Sequence, residues 1–208
     1  MKTKVALFDF DKTIIAQDSI FLLYRKTVKE HKDFRDQLYK KMFRLISRVP
    51  GNPNWKKDIK TEFLQMLHYY SDEDLYQFVA KDLMEEMIFQ DAKEEILHLK
   101  EEGYYLILVS ASVEKYLKYV GDFLPFDHII GTETNENYEV VGKNNKQKAK
   151  VERIEAFLKE KNLAIDYENS RGYSDSLSAD GPMLEIVKNR YLINAKRAPK
   201  GYKILEWK

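Results

Sequence analysis

Two aspartates near the N-terminus have the residue type and spacing to bind a metal ion. The stretch VALFDFDKT, residues 5–13, carries Asp9 and Asp11 directly after four apolar residues. Side chains two positions apart in an extended backbone point the same way, and two ionised carboxylates that close repel each other unless a cation lies between them. Oxygen ligands without cysteine favour a hard ion, so the pair predicts a Mg²⁺ site. A polar surface turn after a strand is the alternative.

An EF-hand calcium loop also begins with D-x-D, but later positions exclude it here. That loop needs glycine at its sixth position and glutamate at its twelfth, where this chain has Ile14 and Ile20. The sequence also contains neither a P-loop nor the glycine fingerprint of dinucleotide-binding proteins.

Polar residues also follow two later apolar segments. Ser110 and Ser112 end the segment that starts at residue 104, and Ser174 with Asp175 ends a segment near residue 173, with Asp180 shortly after. Ligands of an open parallel sheet bind beyond the carboxyl ends of its strands. We therefore expect these side chains to share one site with the aspartate pair.

The elements that must position these residues change character along the chain. Residues 5–8 are a continuous apolar run, typical of a strand buried on both faces. Residues 19–87 have helical spacing, interrupted at Pro50 to Pro53, and strands alternate with helices after Asp91. This order predicts an α/β fold, a Rossmann-like parallel sheet flanked by helices, with a small all-helical cap inserted after the first strand. The predicted core comprises residues 1–17 and 88–208, and the cap residues 18–87.

Local signals place the individual elements. Ser71 and Asp74 predict a capping box, Gly103 a helix end, and Ser112 the N-cap of a helix that starts at Val113. Further elements are predicted by hydrophobic patterning and turn residues. They are strands at 104–109, near 129–130, up to about 173 and at 191–193, a hairpin through 135–137, and helices at 91–102, 149–161 and from 180–182 onward.

Composition limits the classes of function. The 208 residues have a net charge of +1 and contain no cysteine, so the chain has no global attraction to nucleic acid and no disulfide framework. We expect a cytoplasmic protein without stable membrane association. Residues 25–60 carry 12 Lys/Arg against 4 Asp/Glu, and residues 61–95 carry 2 against 10. This split indicates either helices with compensating charged faces or a basic face that attracts an anionic substrate.

In these motifs the chain resembles the haloacid dehalogenase (HAD) superfamily, in its phosphoserine-phosphatase-like branch with a helical cap. The D-x-D-x-T motif of that family is matched by Asp9, Asp11 and Thr13, and the Ser or Thr that ends an apolar strand is matched by Ser110. The motif lysine is best matched by Lys150, with two competitors in the same lysine-rich run. These competitors are Lys146 and Lys148. The last motif is matched by Asp175 and Asp180, with Ser174 in place of its usual Gly.

The resemblance implies a Mg²⁺-dependent phosphatase that hydrolyses a small phosphorylated metabolite through an aspartyl-phosphate. Asp9 would be the nucleophile, and Asp11 the general acid and base. The resemblance assigns Mg²⁺ to the Asp9 carboxylate, the Asp11 backbone carbonyl and Asp175. Asp180 would orient this metal shell or Lys150, or it would only cap a helix. Lys150 and Ser110 would bind the phosphoryl group, and Thr13 would shape the loop that surrounds it.

Two points stay open at the level of sequence. Asp18 lies seven residues after Asp11, where phosphoserine phosphatases carry a Glu that meets the substrate's amino group, but it also suits the N-cap of a helix that starts near Ser19. The same motifs also serve a phosphotransferase or a phosphomutase. A non-catalytic anion-binding module on this fold is a further alternative.

Overall fold

The fold, given by a computed structural model that describes residues 2–46 and 55–208, is built on a six-stranded parallel sheet. Its strand order is β4-β3-β2-β6-β7-β8, and β1 and β5 form a separate short parallel pair. The strands are β1 (Lys2–Thr3), β2 (Val5–Phe8), β3 (Tyr105–Val113), β4 (His128–Thr132), β5 (Ala164–Ile165), β6 (Arg171–Ser174), β7 (Asn189–Ile193) and β8 (Tyr202–Leu205).

Strand β2 lies in the middle of this sheet because its sequence suits burial on both faces. All four of its residues are fully buried, and it pairs in parallel with β3 on one side and β6 on the other. The ring of Phe8 stacks on Tyr173 of β6 at a centroid distance of 4.4 Å. Strands β2 and β6 therefore end side by side, and β3 runs beside β2 and continues past its end to Val113.

Helices cover the sheet and fill the long connection after β2. They are α1 (Ser19–Glu30), α2 (Lys32–Ile46), α3 (Trp55–Leu64), α4 (Asp72–Gln77), α5 (Gln90–Glu101), α6 (Glu114–Leu117), α7 (Lys148–Glu160) and α8 (Leu177–Leu184). A 3₁₀ segment, Gln65–Tyr69, follows α3, and a π-helical segment, Phe78–Glu85, follows α4. The predicted α/β class with a parallel sheet flanked by helices is confirmed.

We call the helices between Ser19 and Glu85 the insert. Ser71 and Asp74 form the predicted capping box at the start of α4. Lys26 of α1 pairs with Asp82 of the π-helical segment at 2.9 Å, so one contact joins the basic and acidic parts of the insert. The predicted break at Pro50 to Pro53 lies outside the described residues, and the boundaries 18–87 stay a prediction.

Two predicted helix starts were wrong. Strand β3 runs on through Ser112 to Val113, which pairs with Thr132 of β4, and the helix that follows has no side-chain cap. The Ser112 hydroxyl is instead bonded to Asp11. Helix α8 starts at Leu177, three residues before the predicted entry, because the hydroxyl of Ser176 accepts from the backbone N–H of Ala179 and caps it.

The remaining elements follow the sequence more closely. Gly103 ends α5 with a φ of +77°, a conformation that glycine adopts without strain. The predicted hairpin at 135–137 is a tight turn closed by one bridge between Thr134 and Val140. The sequence reading missed the edge strand β8 and the pair β1 and β5. Among the helices that the structure describes, none combines the length and apolar character that a bilayer span needs.

Candidate active site

A cavity of about 410 Å³ lies beyond the carboxyl ends of β2, β3 and β6, where the strand order predicts a ligand site. The structure brings together most of the residues predicted from sequence. Those that line the cavity are Asp9, Asp11, Asp18, Lys150, Asp175 and Asp180.

Asp9 is the first residue after β2, and its carboxylate is held from two sides. Its backbone N–H donates to the carbonyl of Tyr173, which continues the β2–β6 pairing. Oδ1 lies 2.6 Å from Nζ of Lys150, and Oδ2 accepts from the hydroxyl of Thr13 at 3.1 Å. A side chain so restrained is fixed in one orientation toward the cavity.

Of the three candidate lysines in this run, Lys150 is the one whose ammonium contacts the aspartates of the site. It lies in the first turn of α7, is 1% exposed, and its ammonium contacts Asp9 and, at 2.7 Å, Oδ1 of Asp180. Burial opposes the charged form, but the charges of Asp9 and Asp180 outweigh it and raise the pKa of Lys150. Lys146 is exposed at the cavity wall, and Lys148 is exposed outside it.

Asp11 is held by groups from α1 and β3. Its Oδ1 accepts from the backbone N–H of Ser19 at 2.7 Å, and its Oδ2 accepts from the hydroxyl of Ser112 at 2.6 Å. Burial, followed by the negative charge of Asp18, raises the pKa of Asp11 from 3.8 to about 6, against the effect of these hydrogen bonds. A carboxyl group that titrates near neutral pH suits both donation and acceptance of a proton.

Thr13 links the loop after β2 to the end of β6. Its hydroxyl donates to Asp9 and accepts from the backbone N–H of Asp175 at 2.9 Å. Among the described residues, no side chain donates to the carboxylate of Asp175. Burial, then the charges of Asp9 and Asp180, raises the pKa of Asp175 to about 6. This carboxylate therefore lies in a field of like charge.

Asp180 does not cap helix α8. It lies inside the helix, is 2% exposed, and its carboxylate pairs with Lys150. Its Oδ2 accepts from the hydroxyl of Ser174 at 2.7 Å, and the same hydroxyl accepts from the backbone N–H of Ser176. The serine that stands where the family usually has glycine therefore contacts both the site and the helix start.

Asp18 and Ser110 differ in their relation to the cavity. Asp18 caps α1 by accepting from the backbone N–H of Phe21, as its position suggested, and it also lines the cavity. Ser110 is fully buried and is not among the described residues that line the cavity. Its hydroxyl accepts from the backbone N–H of Ser112. Its phosphate-binding role stays a prediction.

Sequence reasoning missed Lys60 of the insert. Its ammonium donates to the carbonyl of Ala111 at 2.6 Å, to Oδ1 of Asn144 at 2.6 Å and to the hydroxyl of Thr132 at 3.2 Å. Burial, then the charge of Lys146, lowers the pKa of Lys60 to about 7. One side chain of α3 thus contacts the ends of two strands. Nothing in the sequence distinguishes it from the other basic residues of the insert.

The donor set of this site fits a hard cation. Asp9 and Asp175 provide carboxylates in one cavity, and a cation between them would relieve their mutual repulsion. Within residues 2–46 and 55–208, no cluster of three or more His, Cys, Asp or Glu side chains has a metal-binding arrangement. Mg²⁺ needs no such cluster, because it commonly binds one or two carboxylates and completes its shell with water and substrate oxygens.

Comparison with known proteins gives the family of this site. The profile of the haloacid dehalogenase-like hydrolases matches residues 6–185, which include every predicted site residue. The chain belongs to this family. None of the curated proteins matches the sequence of this HAD hydrolase significantly.

Solved structures resemble this HAD hydrolase over nearly its whole length. A protein of unknown function from Bordetella pertussis Tohama I has a TM-score of 0.79 at 19% identity, with 99% of each chain covered. A phospho-aspartyl intermediate analogue of phosphoserine phosphatase has a TM-score of 0.64 at 21% identity, covering 94% of this chain and 88% of that one. A phosphoserine phosphohydrolase-like protein from Francisella tularensis has a TM-score of 0.59 at 20% identity, with coverages of 92% and 87%. At these identities the likeness shows the fold alone.

Proposed function

We propose that this HAD hydrolase is a Mg²⁺-dependent phosphatase of small phosphomonoesters that works through an aspartyl-phosphate. The observation that carries the proposal is the placement of Asp9 and Asp11 in one cavity, with the buried Lys150 ammonium 2.6 Å from Asp9. A nucleophile, a proton carrier and a fixed positive charge are the groups that phosphoryl transfer needs. Family membership supports the reaction class.

The proposed reaction has two balanced steps. In the first, an Asp9 carboxylate oxygen attacks phosphorus, the bond from phosphorus to the ester oxygen breaks, and Asp11 gives its proton to the leaving alkoxide. In the second, Asp11 takes a proton from a water molecule, whose oxygen attacks phosphorus, and the bond to Asp9 breaks. The products are an alcohol and inorganic phosphate, and both carboxyl groups return to their initial states.

Other residues of the chain support these steps. Lys150 stabilises negative charge on the phosphoryl oxygens, and Thr13 holds Asp9 in position. Mg²⁺, held by Asp9, the Asp11 carbonyl and Asp175, would supply charge that neutralises the phosphate dianion. The volume of about 410 Å³ lies in the ordinary range for small-molecule sites, roughly 300–1,000 Å³.

A phosphate-release assay tests the proposal and separates it from group transfer. The purified chain is incubated with Mg²⁺ and a panel of phosphoserine, phosphocholine, sugar phosphates and lysophospholipids, with and without added acceptor alcohols. We expect free phosphate from at least one ester, and loss of that phosphate when EDTA removes the metal. Transfer to an alcohol without free phosphate would replace the phosphatase by a phosphotransferase, and no turnover would favour an anion-binding module.

A further inference from the structure

Three hydroxyl groups lie in a row behind the Asp11 carboxylate. The hydroxyl of Ser112 donates to Oδ2 of Asp11, Oγ of Ser19 lies 2.9 Å from Oγ of Ser112, and Oη of Tyr116 lies 2.8 Å from Oγ of Ser19. Ser19 and Tyr116 are fully buried, and Ser112 is 3% exposed. No step of the proposed reaction uses these groups directly.

Donor counting fixes the direction of this row. While Asp11 is ionised its carboxylate only accepts, so the single proton of Ser112 then points to Asp11. The contact between the two serines then needs the proton of Ser19, and the contact between Ser19 and Tyr116 needs the phenolic proton of Tyr116. Every hydroxyl of the row therefore donates toward ionised Asp11, and the acid form of Asp11 keeps this direction when its proton lies on a lone pair outside the row.

We infer that Ser112, Ser19 and Tyr116 form a directed hydroxyl chain that positions Asp11 for proton transfer. This inference rests on the proposed role of Asp11. Hydrogen bonds in such a row polarise one another, which strengthens the bond to the carboxylate beyond that of an isolated serine. The backbone N–H of Ser19 donates to Oδ1 of Asp11, and the hydroxyl of Ser112 donates to Oδ2, so the Asp11 side chain is held in one orientation. Each carboxylate oxygen keeps a second lone pair for the transferred proton.

The row also links Asp11 to the insert. Ser19 belongs to α1, whereas Ser112 and Tyr116 belong to β3 and α6. The ring of Phe78 in the π-helical segment packs edge-on against Tyr116 at a centroid distance of 5.8 Å and restrains it. The orientation of the proposed acid thus depends on the position of the insert against the sheet.

The test compares substrates that differ in their need for a proton. The leaving group of 4-nitrophenyl phosphate departs without much protonation, whereas that of phenyl phosphate needs it. In both cases kcat/KM reports the step that breaks the ester bond. We expect Tyr116→Phe and Ser112→Ala to lower kcat/KM for phenyl phosphate roughly threefold to tenfold more than for 4-nitrophenyl phosphate, a part of the ~10²–10⁴-fold that general acid catalysis contributes.

Tyr104→Phe is the matched control. Tyr104 is 7% exposed, and its hydroxyl donates to the carbonyl of Asn169, outside the site. The control variant loses one buried hydrogen bond but should keep the wild-type ratio between the two substrates. A Tyr116→Phe and a Ser112→Ala protein that also keep this ratio, while Asp11→Asn changes it, would overturn the inference and leave the proposed function standing. A wild-type chain that hydrolyses neither of these esters nor any ester of the metabolite panel would overturn both.

Discussion

Nζ of Lys150 lies 2.6 Å from Oδ1 of Asp9, although 141 positions separate the two residues in the chain. The contact joins the end of β2 to the start of α7 and is almost completely shielded from water. Asp180 shares the same ammonium, so one lysine compensates two buried carboxylates. This arrangement gives Lys150 a part in both stability and the proposed chemistry.

Loss of the Lys150 charge should destabilise the fold. Lys150→Met leaves Asp9 and Asp180 without their buried counter-charge, which typically costs about 3–5 kcal/mol. Lys148→Met is the control, because Lys148 is exposed and lies outside the cavity. Urea denaturation in EDTA should show a lower unfolding midpoint for the first variant only. Equal midpoints for the two variants would contradict the assigned charge balance.

Lys60 should anchor the insert to the sheet. Lys60→Met removes three hydrogen bonds to Ala111, Thr132 and Asn144, and we expect a loss of about 1–3 kcal/mol in stability together with a higher KM. Lys161→Met is the control, since Lys161 and Glu160 form an exposed ion pair of the kind worth about 0–1 kcal/mol. Urea denaturation and steady-state kinetics measure both effects. A Lys60→Met protein as stable as the control would contradict this contact.

Close packing of α6 on β4 should make Gly131 intolerant of a side chain. A Cβ atom there would lie 2.8 Å from the backbone N and Cα of Glu114, so Gly131→Ala should cost about 1–3 kcal/mol by overpacking. Gly181→Ala is the control. Gly181 lies in helix α8, and apart from its chain neighbours and the backbone of its own helix the new Cβ would contact only Leu177, at 3.8 Å. The control should change stability by less than about 1 kcal/mol, because the gain in helix propensity is opposed by the contact of the new Cβ with the ring of Pro182. Thermal denaturation that ranks the two variants in the opposite order would contradict the packing.

Metal binding should be visible without any substrate. Mg²⁺ that binds the folded but not the unfolded chain raises the free energy of unfolding by mass action, by about 2.7 kcal/mol at a hundredfold excess over Kd. The melting temperature rises accordingly. Asp175→Asn should lose most of this shift because it removes a proposed ligand. Asp91→Asn is the control, since Asp91 bonds the backbone at Lys208 and does not line the cavity. A full Mg²⁺ shift in Asp175→Asn would exclude Asp175 as a ligand.

The central strands and their polar ends were predictable because local signals determine them. The continuous apolar run of β2 indicates burial on both faces, and parallel strands that lie side by side bring Asp9 and Asp175 to the same edge of the sheet. Lys150 was predictable since an apolar helical pattern starts directly after it. These inferences needed neighbouring residues and strand order alone.

Other site residues depend on tertiary contacts that the sequence does not encode locally. Lys60 reaches the sheet because α3 packs over the ends of β3 and β4, which no spacing within the insert indicates. Ser112 looked like a helix cap, but pairing of Val113 with Thr132 extends β3 past it. For Asp180 the sequence left open a helix cap or an orienting role, and in the structure Ser176 caps α8 while Asp180 pairs with Lys150. Long-range contacts place Lys60 and Ser112, whereas a local hydrogen bond between Ser176 and Ala179 sets the start of α8.

The most direct test of the account is capture of the phosphorylated enzyme. The chain is mixed with a phosphomonoester that it turns over, quenched in acid during turnover, digested and analysed by mass spectrometry. We predict one phosphoryl group on the peptide that contains Asp9, and neither this group nor phosphate release in an Asp9→Asn protein with the wild-type circular dichroism spectrum. Turnover at the wild-type rate by folded Asp9→Asn, or a phosphoryl group on another residue, would contradict the assignment of Asp9 as the nucleophile.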